Sequence, residues 1–157
     1  MKKIKPKILF ANCILSFYIF TGVVVAQDSQ EYPLYPFEVI GGSGRCADQN
    51  DYPKGNFIIT SPSAFEDLWS STYGNLEKMP FVDFRDYTVL SVYTSSSSGS
   101  LHIEIEKIIE TDISLEVYVN FIINNIGSMM PTQPSKMIKI KSIDKGIVFI
   151  ISTTEKF

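Results

Sequence analysis

Histidine, cysteine and tryptophan are almost missing from this chain. Its 157 residues hold one histidine, two cysteines and one tryptophan. The single histidine, His102, leaves no second imidazole for a histidine-rich metal site. Any Ser–His–acid arrangement would have to be built on that one residue. Cys13 falls within an N-terminal apolar run, so Cys46 is the one thiol beyond it. A lone thiol closes no internal disulfide, and the fold must be stable without such a staple. Cys46 is left to an intermolecular bridge, a free thiol or a small buried side chain. No zinc-type spacing of Cys and His occurs.

Positive charge is scarce once the first residues are set aside. Lys2, Lys3, Lys5 and Lys7 precede the apolar run Ile8 to Val25, which ends in Val24-Val25-Ala26. That layout predicts a secretory signal peptide over residues 1–26, cleaved before Gln27. An uncleaved membrane anchor is the rival reading, since the run nears the length of a spanning helix of about 20 residues. Asn12 before Cys13 does not suit a lipidation site. Four of the 14 Lys and Arg lie in the leader and none of the 17 Asp and Glu do, so the remainder carries ten basic and 17 acidic residues, a net charge of −7. An acidic domain is a poor ligand for nucleic acid or for anionic membranes. The expectation is therefore a secreted or periplasmic protein with no nucleic-acid partner and no stable membrane insertion after cleavage.

Residues 27–37, "QDSQEYPLYPF", are polar, then rich in Pro and Tyr, and are expected to be an exposed leader. A single domain is expected over 38–157. "FEVI" reads as a short strand, "GGSGRCADQNDYPKGN" as a long loop, and "FIIT" as a short buried-type strand. "SPSAFEDLWSSTYG" is the one convincing helix. It has Ser61 or Ser63 to cap it, Pro62 at its start and Gly74 as its stop. Phe65, Leu68, Trp69, Thr72 and Tyr73 share one face, which makes Trp69 a core anchor. "YTVLSVYT" is apolar on both sides, as a central strand is. "SLHIEIEKI" turns Leu101, Ile103 and Ile105 inward, and its alternation breaks at Lys107-Ile108-Ile109, where a bulge would restore the inward face. "ISLEVYVNFI" turns Ile113, Leu115, Val117, Val119 and Phe121 inward and forms a hairpin with it. "KMIKIKSIDKGIVFIIS" reads as a second hairpin around Asp144-Lys145-Gly146, with Ile147 to Ile151 a continuous apolar strand. The expected fold is α+β: a twisted antiparallel sheet of about six to seven strands with one helix on a face.

Three chemistries have a foothold, and each has a simpler rival. Gly42-x-Gly44-x-x-Ala47 matches a relaxed dinucleotide fingerprint, but Asp48, Asn50, Asp51 and Pro53 follow where a helix should open. No nucleotide is expected, and the glycines are read as allowing a bend. His102, Glu104 and Glu106 share a strand face with Glu116 beside them. A solvated face with interleaved charges explains them better than a metal site. The run Ser95, Ser96, Ser97, Ser98, Gly99 has no Gly-x-Ser-x-Gly elbow and no marked lysine partner. It reads as a hairpin loop held by stiff strands, a usual place for recognition residues. The candidate partner-binding residues are Tyr93, Ser95, Ser96, Ser97, Ser98, Gly99 and His102. No catalytic residue, metal or cofactor is expected.

"ITSPSAFEDLWSSTYG", "PFVDFRDYTVLSVYTSSSSGSLHIEIEKII" and the later "TQPSKMIKIK" together resemble the PrcB C-terminal-like family. That family is named for the accessory subunit of a bacterial surface protease complex. The resemblance runs from roughly Val39 to Ser152 and rests on Phe-x-x-Leu-Trp, "PFVDF", "VLSVY" and the Ser/Gly loop taken together. The chain departs from the pattern at Gly99-Ser100-Leu101, where members commonly have a Gly-Gly-Tyr-like loop end, and at "NNIGSMMP" before "TQ". The resemblance implies an extracytoplasmic, non-enzymatic accessory module whose protein partner is a protease. A secreted protease inhibitor offering the serine loop is the alternative, and an uncharacterised hydrolase ranks last.

Overall fold

The computed structural model describes residues 32–46, 53–74, 77–95, 100–124 and 132–156. The expected signal peptide, residues 1–26, lies outside them, as does the leader up to Glu31. Among the described residues no helix is long and apolar enough to cross a membrane.

Seven strands and one helix follow one another as β1 (Phe37–Cys46), β2 (Gly55–Ile59), α1 (Pro62–Tyr73), β3 (Tyr87–Tyr93), β4 (Ser100–Glu110), β5 (Ser114–Asn124), β6 (Thr132–Lys141) and β7 (Gly146–Lys156). The α+β class holds. The strands, however, form two sheets rather than one, a four-stranded sheet β1-β6-β3-β2 and a three-stranded sheet β4-β5-β7. The four-stranded sheet is antiparallel throughout, whereas β5 and β7 run parallel.

The core explains why two sheets form. β3 is buried along six of its seven residues and alternates between two apolar neighbourhoods. Leu90 and Val92 join Ile138 and Ile140 of β6 against Ile103, Ile105, Ile108, Leu115, Val117 and Val119 of the other sheet. Val89 and Tyr93 join Met137 against Phe65, Trp69 and Tyr73 of α1. The four-stranded sheet is thus the middle of three layers, covered by the helix on one face and by the second sheet on the other. A strand buried on both faces is mostly apolar, as "TVLSVY" is, and its buried Thr and Ser hydroxyls are bonded, Thr88 with Ser142 (3.1 Å) and Ser91 to the Lys136 carbonyl (3.5 Å).

α1 begins where Ser61 accepts a hydrogen bond from the Ala64 amide (3.4 Å), so Ser61 and not Ser63 is the cap. It stops at Gly74, whose φ of 58° suits a residue without Cβ. Trp69 is buried and its ring lies 4.2 Å from that of Tyr73. The β4–β5 hairpin forms as expected, and its register shifts between Ile105 and Lys107, one residue ahead of the expected break.

Several expectations are corrected. "GGSGRC" is not loop, because β1 continues through it to Cys46 in register with β6, after an irregularity between Val39 and Gly41. β2 is an edge strand with Ile58 half exposed, not a buried one. β6 and β7 do not form a hairpin. The chain leaves the four-stranded sheet after Lys141 and β7 enters the other sheet beside β5. Ile147 to Ile151 is accordingly an edge strand with partly exposed faces. Ile113 sits in a turn and is exposed, so the inward face of β5 starts at Leu115. The last part of the expected leader is also engaged. The Tyr35 amide donates to the Ile108 carbonyl (2.8 Å), and the Tyr35 hydroxyl donates to the Lys141 carbonyl (3.1 Å), tying one sheet to the other.

Candidate functional site

β3 ends in one sheet and β4 begins in the other, so the serine run joins two sheets and is not a hairpin loop. Ser96, Ser97, Ser98 and Gly99 lie outside the described residues. The two ends of the segment are defined. Ser95 is exposed at the first end. His102 is exposed near the second.

The first end is held by Tyr93. Its hydroxyl lies 2.7 Å from the Thr72 Oγ1, and Thr72 Oγ1 also reaches the Leu68 carbonyl (2.7 Å). The Tyr93 ring meets Phe57 edge-on, with centroids 5.6 Å apart. Tyr93 is only 2% exposed, which removes it from the candidate contact residues. Burial of a phenol demands a partner for its hydroxyl, and the helix provides one. Tyr93 is an anchor that fixes where the segment leaves the sheet.

One residue later, the Thr94 amide donates to the Pro134 carbonyl (3.2 Å). Pro134 lines a cleft of about 280 Å³ together with Gly42, Leu101, His102, Ile103, Ser135 and Lys136. Leu101 and His102 belong to the second end of the same segment. The second end of the serine segment therefore lines this cleft, between the start of β4 and the paired strands β1 and β6, while the first end is hydrogen-bonded through Thr94 to Pro134, one of its lining residues.

The cleft's electrostatics follow from its residues. Among the described residues its lining contains a lysine and a histidine and no carboxylate. Gly42 is paired with Lys136, and a Cβ on Gly42 would sit 3.4 Å from Lys136 Cδ. The missing side chain leaves the lysine stem room to lie across the strand. Among the described residues Lys136 has no carboxylate partner, whereas Lys139 pairs with Glu38 (2.7 Å) and Lys145 with Glu110 (2.7 Å). A lysine free of internal pairing beside a histidine suits a neutral or acidic group from another molecule.

The charged residues of β4 are spread along the hairpin. His102 is opposite Ile122, Glu104 opposite Asn120, and Glu116 opposite Ile109 at the far end of the hairpin. Glu116 instead accepts the Tyr118 hydroxyl (2.8 Å), which holds the Tyr118 phenol above its ordinary pKa, while Asn120 donates to Glu106 (3.0 Å). Among the described residues no three His, Cys, Asp or Glu side chains group as ligands.

Sequence reasoning missed Gly42, Pro134, Ser135 and Lys136. One signal was present. In "KMIKIK" the inward residues Ile138 and Ile140 share their parity with Lys136, so a lysine stands on a strand face that is otherwise core. A charge there marks the open rim between sheets.

No protein-family model, no curated protein and no solved structure matches this chain.

Proposed function

We propose that this protein is a non-enzymatic, extracytoplasmic binding module that recognises a protein partner at the rim where the serine segment meets the cleft. One observation supports the reading: Leu101 and His102 at one end of the segment line the cleft, and Thr94 at the other end is hydrogen-bonded to Pro134, which lines it too. A recognition segment is effective when its ends are fixed and its middle is presented, because less order has to be gained on binding. Tyr93 fixes one end to the helix, and Ile103, which is buried, fixes the other to the core. The cleft then offers Lys136 and His102 to a neutral or acidic part of the partner.

The resemblance to PrcB C-terminal-like proteins adds a protease as the partner class, with docking or stabilisation as the role. The expected secretion agrees with a partner outside the cytoplasm. The test replaces Ser95–Ser98 with an acidic tetrad and, separately, Lys136 with Glu. Capture from the native envelope fraction and thermal melting are measured for each. Loss of one captured protein by both variants at unchanged melting is expected. Equal capture by wild type and both variants contradicts the proposal. An effect on the turnover of a captured protease then separates an accessory module, which sustains it, from an inhibitor, which lowers it.

A further inference from the structure

The two sheets have four edges, and three of them carry features that discourage a further strand. β2 is five residues long. β1 is irregular between Val39 and Gly41 and continues through glycines. β4 bulges between Ile105 and Lys107, presents Glu104, Glu106 and Lys107 to solvent, and is bridged at its far end by Leu34 opposite Ile109. Short length, bulges, edge charges and a covering segment are the usual guards of unpaired backbone.

β7 has none of these over most of its length. It is eleven residues long and pairs with β5 without a register shift. Gly146 to Thr154 contains no proline and no charged residue. Val148 and Ile151, on opposite faces, are 49% and 48% exposed. Among the described residues β5 is the only strand paired with β7, so one row of its amides and carbonyls faces away from the sheet. A long, regular, apolar edge of this kind is a template for another strand.

We infer that the free edge of β7 pairs with β7 of a second copy of this chain, antiparallel, about a two-fold axis at Ile151. Ile151 is the midpoint of the strand, so this register engages all eleven residues of both copies. A two-fold axis across a strand edge requires antiparallel pairing and brings one residue opposite itself. Ile151 then meets Ile151, which covers an exposed isoleucine. Val148 meets Thr154 and Phe149 meets Thr153, pairings that suit adjacent strands. Glu155 and Lys156 fall opposite Ile147 and Gly146, at the ends, so no like charges face each other. The product is a continuous sheet of six strands, β4-β5-β7 joined to its own copy, with the serine segments left outside the contact strand.

The test measures molar mass by sedimentation against concentration for the full chain in its secreted form, and for Ile151→Lys and Ile151→Glu. Ile151 is half exposed, so both variants are expected to fold, which far-UV circular dichroism checks. Wild type is expected to approach twice the monomer mass. Each variant alone is expected to stay monomeric, since like charges oppose at the axis, and an equal mixture of the two is expected to recover the dimer. Hydrogen exchange of wild type at low and high concentration gives a reading free of substitutions, with protection of 146–156 rising with concentration. A wild type monomeric at every concentration overturns the inference. So do variants that dimerise as wild type does, or a mixture that stays monomeric.

Discussion

Gly41 shows how one absent methyl group sets the spacing of two layers. A Cβ there would come within 2.7 Å of the Tyr73 hydroxyl and 3.2 Å of Trp69 Cζ3. The helix therefore packs its tilted Trp69–Tyr73 pair directly on the β1 backbone. Gly41→Ala is expected to destabilise by about 1–3 kcal/mol, the range for overpacking, with the loss read from chemical denaturation. An unchanged midpoint would mean that the aromatic pair yields easily. Asp83 is a second residue with a defined consequence. The Arg85 guanidinium donates to its carboxylate (Nε to Oδ1, 2.9 Å) and the Arg85 amide donates as well (3.1 Å), which lowers the Asp83 pKa to about 2. A lowered pKa favours the fold above the ordinary carboxylate range, and that contribution fades as pH falls through about 2. NMR titration is expected to place Asp83 near 2 in wild type and back toward the ordinary carboxylate value of 3.8 in Arg85→Ala. A titration near 3.8 in wild type would remove the pair.

Elements whose signals are local were readable from the residues, and those decided by distant packing were not. The cap at Ser61 rather than Ser63, the stop at Gly74 and a bulge one residue ahead of the expected Lys107-Ile108-Ile109 break each rest on nearby residues. The first residues of β1, "FEVI", read as strand, but "GGSGRC" reads as loop because glycine lowers strand propensity. What overrides that preference is the approach of Trp69 and Tyr73, which lie far along the chain. Asp144-Lys145-Gly146 has hairpin chemistry, yet the strands it joins belong to different sheets. The reason is visible at Lys145, whose ammonium donates to Glu110 (2.7 Å) and to the Thr111 carbonyl (2.8 Å) at the β4–β5 turn. That contact brings the start of β7 beside the start of β5. Lys145→Ala is expected to cost about 1–2 kcal/mol, toward the low end of the about 1.5–3 kcal/mol of charged hydrogen bonds because the pair is partly exposed. Exchange should quicken first in β7. Equal loss of protection in all strands would show that the contact does not act on β7 selectively.

At the scale of the whole molecule, the described residues of the two sheets form a rim where the start of β4 faces β1 and β6. Of the candidate residues Tyr93, Ser95, Ser96, Ser97, Ser98, Gly99 and His102, the cleft lining contains His102, and Ser95 follows Thr94, whose amide donates to the Pro134 carbonyl. Lys136 was not singled out, because its importance depends on which sheet β6 joins. Tyr93 was misassigned because an aromatic next to a loop looks available until the helix above it is known. Site-specific photo-crosslinking tests the rim most directly. A benzophenone side chain is placed in turn at Ser95, at His102 and at Ile113, which is exposed at the opposite end of the β4–β5 hairpin. After irradiation in the native envelope, a covalent adduct to one and the same protein is predicted from Ser95 and His102, and none from Ile113. An adduct to that protein from Ile113, with Ser95 and His102 unreacted, would contradict binding at the rim.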